Sequence, residues 1–196
     1  MIWTFGKLKG GVGASTSCAY VGSSLTALGH KVVALDADEE QTLINWSLDG
    51  GLSFPVLEAQ RDRICRQAKA LTNSYEVVLI DLPPNRRDLF VSSALCSKLF
   101  LVCTTASAVD INRLEPSLDI LADLEEQLDR DFVHILVTKY ARTQKLAKEF
   151  EQEFLAYPVL THKISNRVKY QQEFGETPSY LTEYISLTRE LLALCR

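Results

Sequence analysis

The chain has 196 residues, 46% hydrophobic and 23% charged, which suits one α/β domain spanning residues 1–196 with a substantial core. Its net charge of −4 and pI near 5.4 exclude a protein that coats DNA through bulk charge, so any DNA contact needs a local patch. Five scattered cysteines, with no CxxC pair and no Cys/His cluster at zinc spacing, read as reduced core thiols.

Residues 1–5 read as a first strand, and Lys7 and Lys9 interrupt its apolar run too early for a signal peptide. No later stretch reaches the ~18 apolar residues of a membrane span, so a soluble cytoplasmic protein, bacterial or archaeal, is expected. Residues 15–28 read as a helix that stops at Gly29. Residues 31–35 (KVVAL) read as a buried strand and 41–48 as a helix, broken by Asp49-Gly50-Gly51. A short strand at 55–58 and a helix at 62–71 follow. The apolar run 77–80 predicts a strand central to a parallel sheet. Then come helix 88–96, strand 99–103, helix 113–128, strand 132–137, helix 144–154, a short strand at 159–160 and a closing helix at 180–195. This alternation predicts a doubly wound, mostly parallel sheet flanked by helices, with ligands at the carboxyl ends of the strands.

Three motifs fall at such ends. The first is Lys7-Leu8-Lys9-Gly10-Gly11-Val12-Gly13-Ala14-Ser15-Thr16, between strand and helix. Its glycines let backbone amides converge on phosphate oxygens, and the helix N-terminus adds partial positive charge. Ser15 is placed to offer its hydroxyl to Mg²⁺. The second is Asp36-Ala37-Asp38-Glu39-Glu40-Gln41, whose carboxylates can hold metal-bound water or orient an attacking one. The third is Asp81-Leu82-Pro83-Pro84, an aspartate after an apolar strand. His30, His134 and His162 form no ligand pattern, and Trp3 and Trp46 read as packing residues.

The glycine loop resembles KGGVGKST, the deviant Walker A box of the ParA/MinD family of P-loop ATPases, and the other two motifs resemble that family's DxDPQ segment and Walker B strand. The resemblance covers residues 2–84 well and continues loosely through Val102–Asp110, a switch-like loop, Thr138-Lys139-Tyr140, the place of adenine contacts, and Ile164–Arg167. It implies a P-loop NTPase fold that takes ATP or ADP with Mg²⁺. Residues 9 to 16 (Lys9, Gly10, Gly11, Val12, Gly13, Ala14, Ser15, Thr16) would bind nucleotide. Ser15, Asp36 and Asp81 would serve the metal, and Asp38 would position the hydrolytic water. Lys9 would be the signature lysine that acts on the partner's nucleotide in a homodimer formed on ATP.

The sequence departs from the family at Ala14, where the resemblance implies a lysine on the β- and γ-phosphates. Hydrolysis by this chain is therefore expected to be impaired. The implied function is ParA-like partition or positioning, with an adaptor of the ParB kind and non-specific binding of DNA. Lys163, Arg167 and Lys169 are the basic cluster available for DNA. One alternative is a nucleotide-binding scaffold without hydrolysis. Another is MinD-like membrane attachment through residues 189–196, which lack the basic amphipathic face such anchors need.

Overall fold

The computed structural model describes residues 1–141 and 158–196. Six parallel strands form one sheet: β1 (Ile2–Lys7), β2 (Val32–Asp36), β3 (Val56–Glu58), β4 (Val77–Asp81), β5 (Leu99–Thr105) and β6 (Val133–Thr138). Their order is β3-β2-β4-β1-β5-β6, so β1 lies inside the sheet, between β4 and β5. The helices are α1 (Ala14–Ala27), α2 (Thr42–Ser47), α3 (Ile64–Leu71), α4 (Arg87–Ala94), α5 (Ala108–Leu128), α6 (Lys169–Gln172) and α7 (Thr182–Leu194). The expected α/β fold class is the one observed.

Central strands are apolar throughout because helices cover both faces, and the period of two sorts their side chains. Trp3 and Phe5 of β1, Val32 and Ala34 of β2, and Val77 and Leu79 of β4 pack against α1 and α7. Ile2, Val33, Leu35, Val78 and Ile80 pack on the opposite face with α3, α4 and α5. By the same alternation Lys7, Asp36 and Asp81, the last residues of β1, β2 and β4, belong to the α1 face. Asp36 and Asp81 are register partners. Three chemically active residues thus share one end and one face of the sheet.

The boundaries differ modestly from expectation. The helix expected at 62–71 begins with a 3₁₀ turn, Arg61–Arg63, before α3. Strand β5 continues to Thr105 and α5 starts at Ala108, so most of the expected switch-like loop at 102–110 is strand and helix. The short strand at 159–160 is a single bridge between Ile135 and Val159. The helix expected at 144–154 lies outside the described residues. Only Cys18 and Cys103 are core thiols; Cys65, Cys96 and Cys195 are half-buried. Both tryptophans are buried, and the Trp46 indole donates to the Glu176 carbonyl at 2.8 Å. No described helix is long and apolar enough to cross a membrane. The apolar side of α7 is also engaged, with Leu187 and Leu191 fully buried in the core against α1.

Candidate nucleotide-binding site

The chain leaves β1 through the glycine loop and enters α1 at Ala14. Gly11 and Gly13 hold φ of 80° and 79°, left-handed values that L side chains rarely adopt. Gly13 caps α1 with no side-chain partner for the first helical amides. Those amides remain available to an anion, and the helix dipole favours one there. A Cβ added at Gly10 or Gly11 would meet nothing within 4 Å, so the loop faces open space. That space is a cavity of about 510 Å³ lined by the loop, Lys7, Asp38, Glu39, Glu40, Pro83, Pro84 and Arg86.

The last residue of β6 and the one after it brace the loop from behind. The Thr138 hydroxyl donates to the Val12 carbonyl, and the Lys139 ammonium donates to the Gly11 carbonyl at 2.5 Å. The resemblance put adenine contacts at this stretch; in the structure the Thr138 and Lys139 side chains hold the phosphate loop.

The carboxylates divide into two kinds. Asp36 Oδ1 accepts from the Asp38 amide at 3.0 Å, and Oδ2 accepts from the Leu43 and Ile44 amides at 2.9 and 3.1 Å. Both oxygens accept from backbone, so Asp36 anchors the start of α2. Burial raises its pKa, and the three amides oppose that rise. Asp81 differs: it is fully buried, and neither carboxylate oxygen has a hydrogen-bond partner. Burial pushes its pKa up to about 7, against the pull of the Lys7 charge.

Lys7 is the residue that sequence reasoning missed. Its ammonium donates to the Ser15 hydroxyl at 3.0 Å, pairs with Asp38 Oδ2 at 2.9 Å, and lies 4.0 Å from Asp81 Oδ1. Only 8% of its side chain is exposed. Burial works against the ammonium, but Asp81 and the bond to Asp38 outweigh it and its pKa is raised. Burial likewise opposes the Asp38 carboxylate, and the Lys7 bond outweighs it, so that pKa is lowered. Strand parity was the available signal: Trp3, Phe5 and Lys7 share one face, and that face carries the loop.

The remaining expected residues are spread more widely. Lys9 and Thr16 are half-buried, Thr16 on the cavity wall, and Ala14 is buried in the first turn of α1. The three basic residues assigned to DNA do not form one bare patch. Arg167 bonds to Glu183 at 2.9 Å, Lys169 lies 3.7 Å from Glu173, and both sit over the Tyr180 ring. Lys163 lies over a different ring, that of Tyr140. Among the described residues no group of three or more His, Cys, Asp or Glu is arranged to hold a metal. The oxygens around Lys7 are nevertheless hard donors, a hydroxyl and two carboxylates, of the type Mg²⁺ takes alongside phosphate.

Comparisons place this geometry in context. The chain is 26% identical to the maintenance of carboxysome distribution protein A of Synechococcus elongatus, over 63% of this chain and 65% of that protein. It is 26% identical to the ParA protein of Rhizobium radiobacter, over 66% of this chain and 60% of that one. The chain therefore spans less than two thirds of the length of the curated relatives it matches. A crystal structure of a Borrelia burgdorferi B31 protein assigned to plasmid partition, bound to AMPPNP, superposes with a TM-score of 0.73 at 16% identity, covering 98% of this chain and 97% of that one. Residues 3–178 match the CbiA description, the CobQ/CobB/MinD/ParA nucleotide binding domain. With a glycine loop, an aspartate-ended strand and this match over most of its length, the chain belongs to the CobQ/CobB/MinD/ParA nucleotide-binding family.

Proposed function

We propose that the chain is a ParA/MinD-type positioning protein whose ATP- or ADP-binding site is the glycine loop at the carboxyl end of β1. The observation that carries this reading is the open loop, with helix amides that no side chain caps on one side, the Ser15 hydroxyl and Asp38 carboxylate on the other, and Asp81 buried behind them 4.0 Å from Lys7. In this reading the amides of residues 10 to 16 hold phosphate oxygens, and the Ser15 hydroxyl and Asp81 carboxylate orient the Mg²⁺ of the nucleotide. Bound Mg²⁺ supplies charge that offsets the phosphates. Asp38 faces the position from which water would approach. Lys9 reaches a second copy of the chain in a dimer closed by ATP. That cytoplasmic dimer binds DNA non-specifically through Lys163, Arg167 and Lys169, and an adaptor protein releases it. The names of the two relatives, one for carboxysome distribution and one ParA, support a cargo-positioning role.

Light scattering with and without ATP tests the switch. The native chain is expected to dimerise with ATP, and Lys9→Ala to remain monomeric. An ATP-dependent dimer that persists in Lys9→Ala would rule out the cross-subunit role.

One observation favours a second reading, a nucleotide-binding scaffold without useful hydrolysis. Asp38 is held by Lys7 at 2.9 Å and its pKa is lowered, which makes it a poor proton acceptor. Steady-state phosphate release separates the two readings, since a scaffold gives none above background.

A further inference from the structure

Ala14 brings no charge to a loop whose family resemblance implies a lysine there, yet the site is not without a cation. Lys7 enters it from the neighbouring strand. Its ammonium touches Ser15 and Asp38 and lies 4.0 Å from Asp81, so it stands among the oxygens that would face a divalent ion. Mg²⁺ requires oxygens at about 2.1 Å, so it can take Ser15 and Asp81 only by displacing the ammonium from them, and the two cations compete for one place.

We propose that Lys7 is the resident cation of this phosphate site, so that the chain holds a nucleoside di- or triphosphate without needing a divalent ion. The proposal rests on the nucleotide-binding reading above and concerns which charge serves it. Lys7 is the last residue of β1 and is pointed at the first turn of α1 by strand parity, with its side chain 8% exposed. A phosphate on the loop amides would lie against the open side of the cavity that Lys7 lines. There the ammonium can exchange one carboxylate contact for a phosphate oxygen, a charge-assisted bond in a partly desolvated site. The ion pairs of Lys7 are to Asp38 and Asp81, while Asp36 accepts from three backbone amides. While Lys7 holds Asp38, that carboxylate is also kept from activating water.

Calorimetric titration with ADP and ATP, in Mg²⁺ and in EDTA, tests this on the native chain, Lys7→Met and the relocated pair Lys7→Met/Ala14→Lys. The native chain is expected to change affinity less than about threefold on chelation, and Lys7→Met to weaken about 10- to 100-fold in EDTA, the worth of one charge-assisted contact. Added Mg²⁺ should restore Lys7→Met, and the relocated pair should bind in EDTA again. Native binding that appears only with Mg²⁺, or unchanged binding by Lys7→Met in EDTA, overturns the proposal while leaving nucleotide binding intact. Absence of binding in both buffers overturns the nucleotide reading itself and this proposal with it. Mg²⁺ alone gives a nucleotide-free readout in thermal melting. Lys7→Met should be stabilised by millimolar Mg²⁺ and the native chain should not. Equal stabilisation of both proteins overturns the exclusion of Mg²⁺ by Lys7.

Discussion

The loop end of the sheet and the face formed by α1, α6 and α7 are both rich in charge, but they use it in opposite ways. On the α1–α7 face nearly every acid is fully engaged. Glu173 accepts from the Tyr20 hydroxyl and from the Ser179 amide and hydroxyl. Glu183 accepts from the Ser165 amide, Arg167 and the Tyr170 hydroxyl, and Glu190 accepts from the Thr161 and His162 amides. Tyr20, Tyr170 and Tyr184 pack against one another beneath them, with centroids 4.8 to 5.3 Å apart. At the loop end Asp81 is fully buried with no hydrogen bond, α1 begins without a side-chain cap, and two glycines hold left-handed backbone. Satisfied charge fastens the C-terminal segment to the core. A buried carboxyl without hydrogen bonds costs stability and persists where a ligand completes it.

That contrast can be broken by substitution. The largest effect belongs to the fastened face. Tyr20→Ala removes a fully buried ring and is expected to cost about 3–5 kcal/mol in urea unfolding. A loss under about 1 kcal/mol would mean that the aromatic cluster is not a structural fastening.

Next is Asp81→Asn, which should stabilise the protein by roughly 1–3 kcal/mol at pH 8. The sign follows from linkage. The folded pKa of Asp81 is about 7 against an ordinary 3.8, so the native state keeps a proton that the unfolded state has released. Stability is greatest below the unfolded value and is lost as pH rises through the folded one. Asp81→Asn should flatten that decline in melts between pH 5 and pH 8, and an unchanged slope would show that Asp81 is not the strained group.

Gly13→Ala comes third. It forces a side chain into φ near 79°, at a cost of about 1–2 kcal/mol, and should weaken nucleotide binding more than it weakens the fold. Equal binding by this variant and the native chain would remove the loop from the site.

The smallest effect is expected from Arg167→Ala on the outer rim of the fastened face. Its ion pair is exposed, so the melting temperature should stay within about 2 °C. A gel-shift assay on non-specific DNA gives the sharper measurement, because in the proposed function Arg167 weakens DNA binding when removed. A melting temperature that falls as far as in Tyr20→Ala would place Arg167 among the fastenings.

The sequence by itself determined the alternation of strands and helices, the parallel sheet, and the positions of the glycine loop and the aspartate-ended strands. These are local quantities, carried by runs of apolar residues, by glycines where left-handed backbone is needed, and by the period of two along each strand. The tertiary structure decided which charges meet. Asp36 and Asp81 look alike in sequence, each an aspartate at the end of an apolar strand, yet one is held by three amides, of Asp38 and of the first turn of α2, and the other by none. Lys7 read as a charge at the end of a strand, and its pairing with Asp38, 31 positions on, exists only once β2 and β4 have settled on one side of β1. The basic residues 163, 167 and 169 stand close together in sequence, but their partners Glu173 and Glu183 and the rings of Tyr140 and Tyr180 come from other turns and from α7. The physical reason is that a side chain's charge state and ligand capacity depend on the burial and hydrogen bonds that surround it in space, which sequence spacing does not encode.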